Sequence, residues 1–278
     1  YVDRNQALVL GTVEQAHQRF FVCVERPLPL VEAFAFGEGR VVFGGQTIEL
    51  WEGSLPRNLL FYFLDNPLVG RDTIFEDFWP DASVREATNV FHVTKRKIAE
   101  HLERTAAGLP DGTNYELTRY THGMYRSSHG LTRYFDVAEF EDAVERGLFS
   151  LDDEQQEHYF LRALALYRGP FLQGVRDVLW VERRREALRL LYVKALVGLG
   201  RLCQRRGENM NALAYFVRAL RETPGREDVV RDVMAIYVDA ELVDEARHQY
   251  VALEEYLSNT YRISPSAETM ALHVALGS

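Results

Sequence analysis

The spacing of apolar and polar positions changes twice along the chain. Between residues 33 and 50 it has the period of strands, with "AFAF", "RVVF" and "QTIEL" as short extended runs. Gly37-Glu38-Gly39 separates the first two and Gly44-Gly45 the last two. The Gly-Gly pair predicts a two-residue hairpin, because both central positions of a type I′ turn need positive φ. The period then becomes helical. In "LPRNLLFYFLDNP", Leu59, Leu60, Phe63 and Leu64 share a face and Asn66-Pro67 ends the run. "TIFEDFW" follows, with Thr73 and Glu76 at capping-box spacing and Pro80 as its stop. Ser83 and Glu86 repeat that spacing and open a third helix, which holds "ATNVFHVTKRKI" wrapped around Phe91, Val93 and Ile98. Thr105 to Asn114, with Gly108, Pro110 and Gly112, reads as a loop. "YELTRYTHGMYRSS" alternates like two strands around a tight turn at His122-Gly123. Strands, three helices and a hairpin, in that order, predict an α+β winged helix-turn-helix.

From Asp136 onward the pattern is helical throughout. Asp136 and Glu139 are placed to cap the first helix, and runs over 154–168, 180–206, 209–222, 226–239 and 243–259 follow. Gly169-Pro170, Gly174, Gly207 and Pro224-Gly225 break them. Leu202 and Ile236, Ala212 and Ala246, and Phe216 and Tyr250 are each 34 residues apart, which is the tetratricopeptide period. Two such copies predict an all-α tetratricopeptide-like repeat domain whose grooves suit proteins or peptides. The expected division is an unassigned segment at 1–32, a winged helix at 33–134 and helical repeats at 135–278.

Bulk composition narrows the function classes. A chain of 278 residues, 47% hydrophobic, has room for two modest domains with real cores. It holds no apolar run of roughly 18 residues and no basic-then-apolar leader, so neither a membrane span nor a secretory signal is expected. It begins with Tyr1 rather than Met, as a trimmed or excised chain would. Cys23 and Cys203 are far apart and in no ligand spacing, which argues against a disulfide framework or zinc and for a reducing cytoplasm. Net charge is −9, yet it is unevenly spread: residues 36–134 carry 11 cations against 13 carboxylates, residues 135–278 carry 18 against 24. A site-specific DNA reader needs a local basic face, not a basic average.

On a helical wheel the third helix supplies one. Ala87, Phe91, Ile98 and Leu102 cluster on one side; Arg85, Asn89, His92 and Arg96 lie roughly opposite. Arg can hold guanine O6 and N7 with both arms, and Asn can do the same on adenine. Lys97 sits at the flank, where a phosphate would lie. Lys95 falls on the core side and is expected to lay its stem along apolar surface with the ammonium outward. Arg119 and Arg126 flank the hairpin tip, placed for a minor groove or phosphates. A solvated cationic face explains the same residues if the helix reads nothing.

Enzyme chemistry finds little material. His92 and His101 are nine residues apart on one helix and face different sides. His122 and His129 lie in or near the hairpin without a partner cysteine or carboxylate pair. "FGEGRVVFGG" lacks the lysine and following helix of a phosphate loop, and no Gly-x-Ser-x-Gly elbow occurs. Structural or solvated histidine is the simpler reading. Trp79, before Pro80, reads as core, and Trp180 as packing where the repeats begin.

Residues 36–134 resemble the winged helix of OmpR-type response regulators. "FWPDASVREATNVFHVTKRKIAEHL" is similar to the helix–loop–recognition-helix of bacterial activators of the antibiotic-regulatory-protein (SARP) type. "YTHGMYRSS" is similar to their wing, with Met124 intervening between Gly123 and Tyr125. "FDVAEFEDAV", "ALALYRGPFLQGV", "WVERRREALRLLYVKAL" and "ISPSAETMAL" resemble the bacterial transcriptional activation domain that follows in that family. The resemblance implies a transcriptional activator that binds double-stranded DNA at direct repeats and recruits RNA polymerase, with a second domain of helical repeats that mediates dimerisation or regulation. It places Asn89, His92, Arg96 and Lys97 on the recognition helix, Arg119, His122 and Arg126 on the wing, and Asp81 to Ser83 in a loop that touches the polymerase. Lys95 replaces an apolar residue usual in the family. No cofactor, metal or membrane is expected. The competing reading is a protein–protein adaptor in which the repeats do the work and the winged helix is a docking module. The acidic C-terminal half favours it.

Overall fold

The structure, a computed structural model, describes residues 28–106 and 115–276. Strand β1 (Leu30–Phe34) begins directly after Pro29, three residues earlier than expected and inside the segment read as unassigned. It sits second from the edge of a sheet ordered β3-β2-β1-β7. β2 (Arg40–Phe43) runs antiparallel to it, with Val31 opposite Phe43 and Ala33 opposite Val41, and these four side chains enter the core. β3 is only Gln46–Thr47. Gly44 and Gly45 between them take φ of 56° and 82°, the left-handed pair a type I′ turn requires. On the other flank, β7 (Thr132–Phe135) pairs in parallel with β1. Local sequence pattern carries no trace of that partner, which lies a domain's length away.

Helix α1 (Ser54–Asp65) ends at Asn66, as the Asn-Pro pair dictates. Leu59, Leu60 and Phe63 of its expected face are buried and Leu64 is partly so, but Phe61 and Tyr62 are buried too, because α1 is packed on both sides. Phe61 faces Phe135 of the first sheet at 6.5 Å between ring centres, while Phe63 faces Phe91 and Tyr125 at 6.2 and 6.0 Å. β4 (Leu68–Gly70) follows and was not foreseen; it pairs with β6 in a second sheet ordered β4-β6-β5. α2 (Arg71–Phe78) starts straight from β4 with Gly70 as its cap residue, so the Thr73–Glu76 capping box does not form. The helix had already begun before Thr73 was reached. The second box does form. The Ser83 hydroxyl accepts the Glu86 amide, and the Ser83 amide donates to Glu86 Oε2 at 3.1 Å, opening α3 (Val84–Thr105). Of the loop expected after α3, residues 107–114 lie outside the described residues. The wing is β5 (Thr118–Thr121) and β6 (Met124–Ser127), turned at His122 (φ 51°) and Gly123 (φ 82°). This is a winged helix-turn-helix.

The rest is helical: α4 (Asp136–Phe149), α5 (Asp153–Leu166), α6 (Leu179–Arg205), α7 (Asn209–Glu222), α8 (Glu227–Asp239), α9 (Val243–Tyr261) and α10 (Ala267–Ala275). The repeat pairs Leu202 and Ile236, Ala212 and Ala246, and Phe216 and Tyr250 are all buried. Gly200 of α6 leaves the space that the Phe216 ring of α7 fills. Asp136 does not cap α4; the cap position is Phe135. Its buried carboxylate instead accepts the amides of Ala35 (2.8 Å) and Phe36 (3.2 Å) where β1 ends, and burial pushes its pKa up. Glu139 pairs with Arg162 of α5. One apolar cluster runs unbroken from Val31 to Leu199, so the winged helix and α4–α6 share a core, and two smaller clusters hold α7–α10. Trp180, on the first turn of α6, packs on Tyr62 of α1, Phe78 of α2 and Phe171, at the seam between the winged helix and the helical half.

Candidate nucleic-acid interface

The buried side of α3 is fixed by aromatic packing. Phe91 lies 5.1 to 6.3 Å from the rings of Phe63, Phe75, Trp79 and Tyr125. Ala87, Ile98 and Leu102 are buried beside it. The opposite side is therefore held outward, and Arg85, Asn89, His92 and Arg96 are all exposed. At 1.5 Å per residue this stripe is about 16 Å long, the reach of a few base pairs in a major groove. The Arg96 side chain is 71% exposed, with Nε 3.5 Å from Glu100 Oε1.

Two lysines behave differently from expectation. Lys97 does not stand free at the flank: its ammonium is 3.6 Å from Glu52 Oε2, and the same carboxylate holds Arg104 at 3.1 Å. Arg104, with Lys97 and His101, keeps the Glu52 carboxyl below its usual range. Both side chains of the Lys97–Glu52 pair are solvent-accessible, and a screened pair of this kind is weak enough for a phosphate to displace it. Lys95 does not point outward either. Its ammonium lies 5.0 Å over the Tyr125 ring, and burial pulls its pKa below the ordinary lysine range. Val93, expected to pack with Phe91 and Ile98, faces solvent instead. Val93 and its neighbour Val90 are 43% and 41% exposed, and with Leu55 and Pro56 they line a shallow apolar groove beside Asn89 and Lys97. Wheel position carried that information, since Val93 follows Asn89 by four residues.

The wing presents a second cationic feature. Arg119 and Arg126 occupy directly opposed positions of the β5–β6 ladder, both exposed, and like charges so placed repel. Such a pair is an arrangement an anion relieves. His122 is exposed at the tip in the left-handed region, and Tyr120 is exposed beside it. Between α3 and β5 lies a cleft of about 250 Å³, lined by Phe63, His92, Lys95, Arg96, Glu116 and Thr118 among others. In the loop between α2 and α3, Asp81 is exposed, whereas Ser83 is spent on its cap, with Oγ 2.6 Å from Glu86 Oε2.

The remaining histidines do not converge. His101 is buried and accepts the Glu52 amide through Nε2 at 3.3 Å, a structural role. Among the described residues no three His, Cys, Asp or Glu side chains are grouped to hold a metal ion. Cys203 is buried and unpaired; Cys23 lies outside the described residues. No helix of the described residues is long and apolar enough to cross a membrane.

Residues 135–276 match the model of the bacterial transcriptional activator domain family, a family of transcription regulators rather than enzymes. A comparison with curated proteins gave no match. Among solved structures the chain is similar to Mycobacterium tuberculosis EmbR, in a complex with a low-affinity phosphopeptide. The TM-score is 0.69 at 20% identity, covering 89% of this chain. This chain spans 65% of that one. The winged helix and helical domain expected from the SARP-type resemblance stand in the expected order. The chain belongs to the bacterial transcriptional activator domain family, in the two-part organisation of the SARP type.

Proposed function

We propose that this protein is a sequence-specific DNA-binding transcriptional regulator, an activator that recruits RNA polymerase. The observation that carries the reading is the outward stripe Arg85, Asn89, His92 and Arg96, fixed opposite the Phe91 core contact. Its side chains supply bidentate donors and acceptors for base edges. The opposed arginines of the wing, Arg119 and Arg126, support it as a phosphate or minor-groove grip. His122 extends that grip at the tip. Lys97 leaves Glu52 for the backbone when duplex is present. Asp81, exposed beside the cap of α3, is the polymerase-facing residue of the loop, and Ser83 holds its position. The winged helix at 33–134 thus places the chain on DNA. The acidic helical half at 135–278 meets protein partners, the polymerase and a second copy of the chain, in the cytoplasm.

Selection of binding fragments from sheared DNA of the source genome tests this reading. Enrichment of a shared duplex motif is expected. A well-folded sample that enriches nothing over random duplex at physiological salt would replace the reading with the adaptor, in which the helical groove binds a protein and Arg96 is dispensable.

A further inference from the structure

The cleft between α3 and β5 contains two features that the outward stripe does not explain. Thr118 is 2% exposed, and its Oγ1 meets no hydrogen-bond partner. A buried polar atom left unpaired costs free energy, so it points to a group that arrives later. Lys95 reaches into the same cleft from the core side of α3 and rests on the Tyr125 ring, with burial holding its pKa below the ordinary lysine range. Glu116 is the carboxylate that attracts it, from an exposed position on the rim, and His92 and Arg96 complete the polar lining. Lys95 and Thr118 both line the cleft, and the ammonium on Tyr125 and the enclosed, unpaired hydroxyl are donors an oxyanion can take up once Lys95 swings off the ring.

Duplex geometry supplies the oxyanion. A recognition helix in the major groove and a wing in the adjacent minor groove are separated by one sugar-phosphate backbone, which crosses the space between them. We propose that the cleft between α3 and β5 seats a backbone phosphate of bound duplex, held by the Lys95 ammonium and the Thr118 hydroxyl. This rests on the DNA-binding reading above. Lys95 leaves the Tyr125 ring for the phosphate, so the position that departs from the family's apolar residue becomes a contact used only in the complex. Glu116 opposes the phosphate and weakens binding.

The test is a fluorescence anisotropy titration of the selected duplex, and of a random one, at about 50 and about 200 mM salt. Wild type is compared with Lys95→Met, Lys95→Arg, Thr118→Val and Glu116→Gln. Lys95→Met is expected to weaken binding roughly tenfold on both duplexes. It should also reduce the slope of log affinity against log salt by about one. Lys95→Arg restores both, a result that a purely structural lysine on Tyr125 would not require. Thr118→Val weakens binding about threefold without changing the slope, and Glu116→Gln strengthens it. A folded Lys95→Met with the wild-type slope overturns the phosphate seat and leaves the DNA reading standing. If Lys95→Met does not fold, unchanged affinity in both Thr118→Val and Glu116→Gln overturns it. Absence of salt-dependent duplex binding by wild type overturns both.

Discussion

Helix α3 starts from a pair of side chains, Ser83 and Glu86. The Ser83 hydroxyl and amide both bond the Glu86 carboxylate and hold it below its ordinary 4.5. A carboxylate with a depressed folded pKa adds stability above its ordinary value and loses it as pH falls through the folded value. Ser83→Ala is therefore expected to destabilise the protein by about 1 kcal/mol at neutral pH. The gap should narrow as pH drops below 4.5, read by urea denaturation of both proteins across that range. A constant gap at every pH would mean that the carboxylate takes no part. This box was legible because its spacing is local. The Thr73–Glu76 box had the same spacing and failed, because the pairing of β4 with β6 starts α2 at Arg71. The place of Lys95 was hidden for a related reason: a wheel gives direction around one helix, whereas the Tyr125 ring belongs to another element.

Among the elements, those with their own periodicity were readable and those defined by a partner were not. α5 to α9 fall within a few residues of the expected runs, and the wing turns at the expected His-Gly pair. β4 and β7, three and four residues long, exist because β6 and β1 accept them, and so went unseen. Close helix approach was likewise hidden in glycines that look like breakers. Gly147 of α4 and Gly198 of α6 both face the Phe160 ring of α5, and a Cβ at Gly147 would lie 2.6 Å from two of its ring carbons. Alanine normally improves a helix by about 1 kcal/mol over glycine. Here overpacking outweighs that gain, and Gly147→Ala is expected to lower stability by about 1 to 2 kcal/mol. Thermal melting checks it: an unchanged or raised midpoint would show that the three-helix contact is looser than the geometry states.

For the whole molecule, the shared core makes the winged helix and α4–α6 one unit. Arg184 of α6 lies 2.8 Å from Asp65 of α1 and 2.7 Å from Glu141 of α4. The Asp65 side chain is only 8% exposed, and burial raises its pKa despite the arginine. Removing the guanidinium leaves that carboxylate unpaired, so Arg184→Ala should cost about 3 kcal/mol. Calorimetry should show the winged helix and the first helices melting in one transition before and after the substitution. Two separate transitions in wild type would contradict the shared core. Under the proposed function that rigidity matters, since a DNA-reading α3 fixed to the helical scaffold would transmit its position to whatever the scaffold meets. Whether the outward face of α3 reads a duplex is decided by anisotropy titration of a selected duplex and a random one with wild type and Arg96→Ala. Arg96→Ala is expected to weaken the specific complex by roughly 1 to 3 kcal/mol on the selected duplex and far less on the random one. Equal losses on both duplexes, or none on either, would contradict it.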